Sequence, residues 1–140
     1  MSWDILIINF PEDLQSLSEI THGLKPTPLG KRDDVIAQIH QVLPGADFSD
    51  RSWGILDHSG LSIEFNMGKE EVCDGVTLHV RGGGSAIATI VRLLEHLKLR
   101  AIDHQTGEFF SAEAAHASFG QWQAYRDRAM QNVKPLEDNR

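Results

Sequence analysis

Features that would point to a function class are scarce in this chain of 140 residues. Its 20 acidic residues outnumber its 13 basic ones, which gives a formal net charge of −7 at pH 7. Because a protein that binds nucleic acid needs a basic face, this balance argues against a nucleic-acid partner. An acidic chain is instead suited to a basic partner, or its charge serves only to keep the protein in solution.

Long apolar runs and cysteines are scarce as well. No run approaches the roughly 18 residues that span a bilayer, so we expect no membrane partner. The N-terminus lacks the basic stretch and the small-residue cleavage site of an export signal, which predicts a cytoplasmic protein.

The one cysteine, Cys73, excludes an internal disulfide. Its acidic neighbours in a predicted polar loop raise the pKa of a thiol, so we expect no catalytic role for it.

Motifs of metal and cofactor sites are also missing. The seven histidines are scattered, and the chain contains no H-E-x-x-H, no C-x-x-C and no close pair of histidines. We therefore expect no metal ion and no cofactor. No motif assigns a catalytic residue.

The clearest pattern that is present lies between Leu61 and Lys98. Apolar and polar residues alternate over 61–67 and again over 76–81, which predicts two strands with one buried face each. A triple-glycine turn and an apolar stripe at helical spacing follow, and they predict an amphipathic helix. The predicted core of this stretch consists of Ile63, Phe65, Leu78, Val80, Ile90 and Leu94.

Further strands are predicted over residues 3–10, 53–57 and 100–104. The first is apolar almost throughout, which is typical of a central strand buried on both faces. In the last, the alternation predicts that Ile102 points inward and that Ala101 and Asp103 point outward.

Further helices flank this stretch. Asp33 or Asp34 is suited to cap a helix that runs to about Leu43. Near the C-terminus, Ser111 is suited to cap a short helix through residue 117. Ser118 then begins a capping-box pattern that predicts a separate last helix over 118–131. Its aromatic residues, at a spacing that predicts docking on the sheet, are Phe119, Trp122 and Tyr125.

The element order β-α-β-β-β-α-β-α predicts an α+β sandwich in which helices stack on one face of a mostly antiparallel five-stranded sheet. Residues 1–133 form a single domain in this prediction, with a long surface connection over 11–30. Residues 134–140 are predicted to be a flexible C-terminal tail.

The polar face of the predicted hairpin is the first candidate site. If residues 67 and 76 close the loop, Glu64 lies opposite His79 and one diagonal step from Arg81. The candidate residues of this surface are Glu64, Asn66, His79, Arg81 and Asp103. A carboxylate beside an imidazole is suited to acid–base chemistry, but the same pair is also an ordinary cross-strand pair on a solvated face. A third interpretation is a docking surface with Trp3 or Trp53 as its aromatic anchor.

The glycine turn is the second candidate, formed by Gly82, Gly83, Gly84 and Ser85. A glycine turn between a strand and a helix N-terminus is suited to bind an anion through free backbone N–H groups. However, the turn matches neither phosphate-binding glycine pattern and lacks the G-x-S-x-G nucleophile motif. The alternative, which we prefer, is a tight reversal with Ser85 as N-cap.

Several short segments resemble a family of small, largely uncharacterised bacterial proteins. They are MSWD at residues 1–4, SIEFN at 62–66 with Gly68, LHVRG at 78–82, and Asp103 followed by TGEF at 106–109. The resemblance covers roughly the first 110 residues. Some such proteins are similar to the immunity-type proteins of bacterial toxin systems. The resemblance implies a cytoplasmic bacterial protein with a small α/β fold, and it implies no catalytic residue.

We therefore expect a non-enzymatic protein-binding protein, of the immunity type, that acts through a polar acidic surface. Its expected partner is another protein, such as a basic toxin, or a second copy of the chain in a homodimer. The alternative is a small ligand-binding protein or enzyme that uses Glu64, His79 and Arg81 near the glycine turn. A deep pocket beside these residues would favour the alternative, and a flat polar face would favour protein binding.

Overall fold

A six-stranded antiparallel sheet is the main element of the structure. The computed structural model describes residues 2–10, 27–58, 60–83 and 85–133. The elements are β1 (Trp3–Ile8), β2 (Gly30–Lys31), α1 (Arg32–Val42), β3 (Trp53–His58), β4 (Leu61–Asn66), β5 (Val72–Cys73), β6 (Val76–Gly82), α2 (Ala86–Leu97), β7 (Arg100–Asp103), β8 (Glu108–Phe109) and α3 (Ala112–Val133). The strand order is β3-β4-β6-β1-β7-β8, and β2 pairs separately with β5. All these pairs are antiparallel, so the predicted single-domain α+β fold is confirmed. The predicted number of five strands is wrong, because the short strand β8 adds a sixth beside β7.

Strand β1 lies inside the sheet because both of its edges are paired, one with β6 and one with β7. Trp3, Ile5 and Ile7 are at most 1% exposed, whereas Asp4 and Leu6 on the other face are half-buried. The predicted central position is therefore confirmed. On the open face of the strand only Ile8, at its end, is buried, so the predicted burial of both faces holds there alone.

The helices pack on the face of the sheet that carries Trp3, Ile5 and Ile7. Their buried apolar residues include Val35, Ile36 and Ile39 of α1, Ile90 and Leu93 of α2, and Phe119 and Trp122 of α3. With the inward residues of the strands they form one continuous hydrophobic cluster. Burial of apolar surface, at about 25 cal/mol per Å², is the main force that holds the helices on this face. We call the opposite face of the sheet, on which no described helix packs, the open face.

The hairpin of β4 and β6 has the register that the alternation predicts. The pairs include Ser62 with Arg81, Glu64 with His79, Phe65 with Leu78 and Asn66 with Thr77. The predicted core residues Ile63, Phe65, Leu78, Val80 and Ile90 are fully buried. Leu94 is half-buried against the same cluster.

The predicted orientation of β7 is wrong. Ala101 and Asp103 point into the core and are 1% and 3% exposed, while Ile102 is half-buried on the open face. Ile102 pairs there with Leu6 of β1 and with Phe109 of β8. In a strand of four residues the alternation is too short to set the register, which is decided by these neighbouring strands.

Helix α3 is continuous, so the prediction of two helices is wrong. Ser111 does act as the cap, since its hydroxyl accepts a hydrogen bond from the N–H of Ala114. Ser118 lies inside the helix and is buried, because no glycine or proline precedes it and extending a helix is easier than nucleating a second one. Of the predicted docking aromatics, Phe119 and Trp122 are buried, but Tyr125 is 57% exposed.

Helix α1 begins earlier than predicted. Lys31 stands at its N-cap, and Asp33 and Asp34 lie in the first turn, where their charge is favourable to the helix dipole. The helix ends at Val42, in accordance with the turn that follows at residues 44–45.

Cys73 is part of a short strand rather than of an open loop. It pairs with Gly30, is 2% exposed, and its thiol donates a weak hydrogen bond to the carbonyl of Gly75 at 3.3 Å. Burial raises the pKa of this thiol, and the charge of Asp74 raises it further. The expected direction is confirmed, but burial is the main cause.

The glycine turn has a steric requirement at its first residue. Gly82 has φ +97°, and a Cβ at this position would lie 1.9 Å from the carbonyl oxygen of Gly60. The turn between β3 and β4 therefore packs directly on the backbone of Gly82, which only glycine permits.

Some predictions lie outside the described residues. They are the greater part of the connection over 11–30, the anion-site residue Gly84, and the tail over 134–140. In the described part of the chain, no helix has the combination of length and apolar character needed to cross a membrane.

Replacing Gly82 tests its close packing on the backbone of Gly60. Gly82→Ala is expected to lower the free energy of unfolding by about 2 kcal/mol or more, because alanine is strained at this φ and its Cβ displaces the β3–β4 turn. The matched control is Gly120→Ala, which lies in α3 with open space around it and should stabilise the protein by about 1 kcal/mol. Urea unfolding measures both, and a Gly82→Ala protein as stable as the parent would contradict the assignment.

Reaction of Cys73 with a thiol reagent tests its burial. The native protein should react only after unfolding, because both burial and the raised pKa keep the thiolate inaccessible. Rapid stoichiometric labelling in the absence of denaturant would show that β5 opens freely from β2.

Candidate functional site

The open face carries one side chain from every second position of the strands. By register these are Trp53, Ile55 and Asp57 of β3, Ser62, Glu64 and Asn66 of β4, Thr77, His79 and Arg81 of β6, Asp4, Leu6 and Ile8 of β1, Arg100 and Ile102 of β7, and Phe109 of β8. The polar cross-strand contacts lie on β3, β4 and β6 and reach Asp4. At the β7 end the face is mostly apolar, apart from Arg100, whose guanidinium lies over the ring of Phe109. The strand order thus collects four of the predicted site residues, Glu64, Asn66, His79 and Arg81, in one half of the face.

His79 lies between two carboxylates. In the register it faces Glu64 on β4 and Asp4 on β1. Its Nδ1 contacts Oδ1 of Asp4 at 2.9 Å, so the imidazole is bound to Asp4 rather than to the predicted partner Glu64. The hydroxyl of Ser2 also donates to this carboxylate and helps to hold it.

Glu64 is engaged by two other side chains. The indole N–H of Trp53 donates to Oε2 at 2.8 Å, and Arg81 forms an ion pair with Oε1. The predicted diagonal contact between Glu64 and Arg81 is therefore present. Together with the indole, it fixes both oxygens of the carboxylate.

Trp53 closes the arrangement by stacking on His79. The two ring centroids are 5.5 Å apart and the planes are inclined by 18°. The indole thereby reaches from the edge strand β3 across β4 to β6. We call the connected group Asp4, Trp53, Glu64, His79 and Arg81 the polar cluster.

The polar cluster is a surface feature. The side chains of its two ion pairs are 23% to 41% exposed. Pairs in contact with solvent contribute only about 0–1 kcal/mol each to stability. The cluster is therefore ordered by its contacts without being a major source of stability.

Two predicted site residues stand apart from the cluster. Asn66 is exposed at the end of β4, where its side-chain oxygen accepts the N–H of Gly68 and shapes the following turn. The placement of Asp103 on this surface is wrong, since it lies on the helix-covered face. Its carboxyl accepts the indole N–H of Trp3 at 2.9 Å and the N–H of Gln105 at 2.8 Å, which compensates for its burial.

The glycine turn is not connected to the polar cluster by the described contacts. Gly82 is explained by its close packing on Gly60, and Gly83 lies beside Gln123 of α3. Ser85 occupies the N-cap position of α2, as predicted, but its side chain forms no capping hydrogen bond.

Asp4 is the residue that the sequence interpretation missed. It stands as one acid in an apolar strand, and its role depends on the strand order, which places β1 beside β6. The alternation of Trp3, Ile5 and Ile7 with Asp4 is a signal that would have placed it on the open face. The same alternation distinguishes the two tryptophans, since Trp3 is buried and Trp53 lies on the open face.

The polar cluster contains one pair of side chains that is suited to acid–base chemistry. A carboxyl bound to Nδ1 orients an imidazole in the way that acid–base catalysts require. However, four cavities of about 200 to 660 Å³ can be delimited by described residues, and the cluster lines none of these four. Among the described residues there is also no group of three or more metal-ligating side chains.

Comparisons with models of protein families, with curated proteins and with solved structures found no match for this chain. The function proposed below therefore rests on the geometry of the open face and on the sequence.

Removing the carboxyl of Asp103 tests its assignment to the core. Asp103→Ala is expected to lower the free energy of unfolding by about 2 kcal/mol, because the buried indole N–H of Trp3 loses its partner. Asp57→Ala is the control, since it removes an exposed carboxylate from the open face and should change stability by less than about 0.5 kcal/mol. Equal effects in urea unfolding would contradict the assignment.

Proposed function

We propose that this protein is a non-enzymatic protein-binding protein, of the immunity type, whose open face binds a basic surface of another protein. The observation that carries the proposal is the polar cluster, which lies on a sheet face that no described helix covers. Protein partners commonly dock on such surfaces through an aromatic residue surrounded by polar groups.

Trp53 is suited to be the anchor of this interface. Its indole is held on one side by the stack on His79 and at its nitrogen by Glu64. A side chain that is already fixed loses little conformational freedom on binding, so more of the contact energy appears as affinity. The neighbouring Ile55 is 48% exposed and adds apolar surface that a partner can cover.

Charge supports a basic partner. Around Trp53 the open face carries the carboxylates of Asp4, Asp57 and Glu64, against the guanidinium of Arg81. The chain as a whole has a formal net charge of −7. Such a surface attracts a basic protein and accelerates the encounter, whereas two acidic copies repel each other. The resemblance to immunity-type proteins supports a bacterial toxin as the partner and the cytoplasm as the place of action.

A second candidate function is supported by the contact of Asp4 with His79. This pair could serve a small ligand-binding protein or enzyme that uses Glu64, His79 and Arg81. The cluster lines none of the four cavities that described residues delimit, and small-molecule sites are usually concave, which is why we place this function second.

Two variants that place opposite charges at position 55 test the protein-binding proposal. Ile55 lies directly opposite Glu64 and both Ile55→Arg and Ile55→Glu remove the same apolar contact. The full chain is used to isolate a partner from the native host, and the affinity of the purified partner is measured by calorimetry. The Arg variant should bind at least about tenfold more weakly than the Glu variant, with a difference that shrinks as salt is added.

Tyr125→Arg is the control, because it places the same charge on an exposed position of α3 behind the other face. The proposal is wrong if the two Ile55 variants bind equally, or if Tyr125→Arg weakens binding as much as Ile55→Arg. If the only partner recovered is a second copy of the chain, the homodimer interpretation replaces it. Stabilisation of the protein by a small anion that is lost in His79→Ala, with no protein partner, would favour the second candidate.

A further inference from the structure

His79 is the one histidine of the polar cluster, and its contacts allow its charge to change. Its Nδ1 lies 2.9 Å from Oδ1 of Asp4, and the indole of Trp53 is stacked on its ring. Its Nε2 has no hydrogen-bond partner among the described residues, and 23% of the side chain is exposed, so solvent can deliver a proton there. A carboxylate and an aromatic face both attract a cation, so both contacts persist when the ring becomes charged.

The charged groups around His79 come from every neighbouring strand of this half of the open face. By register they are Asp4 of β1, Asp57 of β3, Glu64 of β4 and Arg81 of β6. Beyond β7, His104 donates its backbone N–H to the carbonyl of Asp4, and its exposed side chain is a second imidazole beside this group. Three carboxylates against one guanidinium leave two net negative charges. A charged His79 leaves one.

The histidines outside the cluster change the charge of the chain in the same direction. The formal net charge of −7 counts all seven histidines as neutral, so protonation of all seven would remove it. A histidine side chain changes its charge between about pH 5 and 8, whereas lysine and arginine stay charged over this range. The negative charge that attracts a basic partner therefore decreases as the pH falls, and at the centre of the open face it decreases through His79.

We propose that protonation of His79 weakens the binding of the basic partner, so that the open face binds this partner at neutral or slightly alkaline pH and loses affinity at mildly acidic pH. The inference rests on the proposed function, because it concerns the same surface and the same class of partner. It adds control of that binding by protons. The direction follows from charge, since a proton taken up beside Trp53 adds repulsion against a basic surface.

NMR titration of the full chain with octalysine tests the proposal with a probe of constant charge. Lysine stays protonated between about pH 8 and about pH 5.5, so a change in affinity over this range arises on the protein. At the higher pH and low ionic strength, octalysine should shift the resonances of the open face. At the lower pH its dissociation constant should be larger by at least about fivefold.

His79→Gln isolates the contribution of this one imidazole. Glutamine is neutral at both pH values and keeps an N–H that can be donated to Asp4. The ratio of the dissociation constants at the lower and the higher pH should be about threefold smaller than in the parent chain, as expected for one partly screened charge. His96→Gln is the matched control, because His96 is exposed on α2, behind the other face, and its loss should leave the ratio nearly unchanged.

The free protein gives a readout that needs no partner. The imidazole resonances of His79 should change between the two pH values. The indole N–H resonance of Trp53 should follow them with the same midpoint, because the two rings are stacked. In His79→Gln the resonance of Trp53 should not follow over this range.

The outcomes distinguish the control by pH from the proposed function. If octalysine binds the open face equally at both pH values, or if His79→Gln keeps the ratio of the parent chain, the control by pH is wrong and the proposed function stands. An imidazole of His79 that keeps one charge state throughout would overturn it as well. A ratio reduced as much in His96→Gln would show an effect of net charge alone and overturn the assignment to His79. If octalysine shifts no resonance of the open face at the higher pH, the proposed function itself is contradicted, and this inference with it.

Discussion

The burial of the Trp3 indole is the interaction on which the arrangement of the layers depends. Its N–H is bonded to Asp103 of β7, and its ring lies 4.8 Å from that of Phe119 in α3 and 6.2 Å from that of Phe110. One side chain of the central strand thus connects a neighbouring strand to the last helix. A buried indole N–H usually has a hydrogen-bond partner, and Asp103 provides it for Trp3. The buried N–H of Trp122, by contrast, has no partner among the described residues. The bond between Trp3 and Asp103 favours the side of β7 that points inward.

Once that side is fixed, the composition of the open face follows. Residues at alternate positions of β1 must lie opposite Trp3, so Asp4 is directed to the same surface as His79. Asp103 therefore lies in the core, and Asp4 lies on the open face. The polar cluster is a consequence of the same alternation that builds the core, extended across neighbouring strands.

Local patterns explain why part of this was predictable. The Glu64–His79 pairing follows from the alternation within one hairpin and from the length of its loop, both of which are readable in the sequence. The contact of His79 with Asp4 joins residues 75 positions apart, and no local pattern contains the strand order on which it depends. Asp103 was placed on the wrong face because a polar residue is expected outside, and the compensating partner, Trp3, is 100 positions away.

The same reasoning explains the misplaced helix boundary in α3. The Ser118–Gln121 pattern is a capping signal only where the chain is not already helical, and a helix begun at Ser111 passes through it. The buried hydroxyl of Ser118 then remains without a partner among the described residues. Whether such a pattern caps a helix depends on the residues before it, which a four-residue motif does not include.

The core and the open face also differ in how they tolerate change, and this difference supports the proposal that the open face is the place of recognition. Contacts of the polar cluster are partly solvated and weak in net stability, so substitutions there alter the charge and shape of the surface while the fold persists. Contacts around Trp3 are buried, and a substitution there leaves a cavity or an unpaired donor. A surface that discriminates between partners must be able to vary without unfolding the protein. In this chain the open face can vary in this way without loss of the fold, and Trp53 is a rigid residue at its centre.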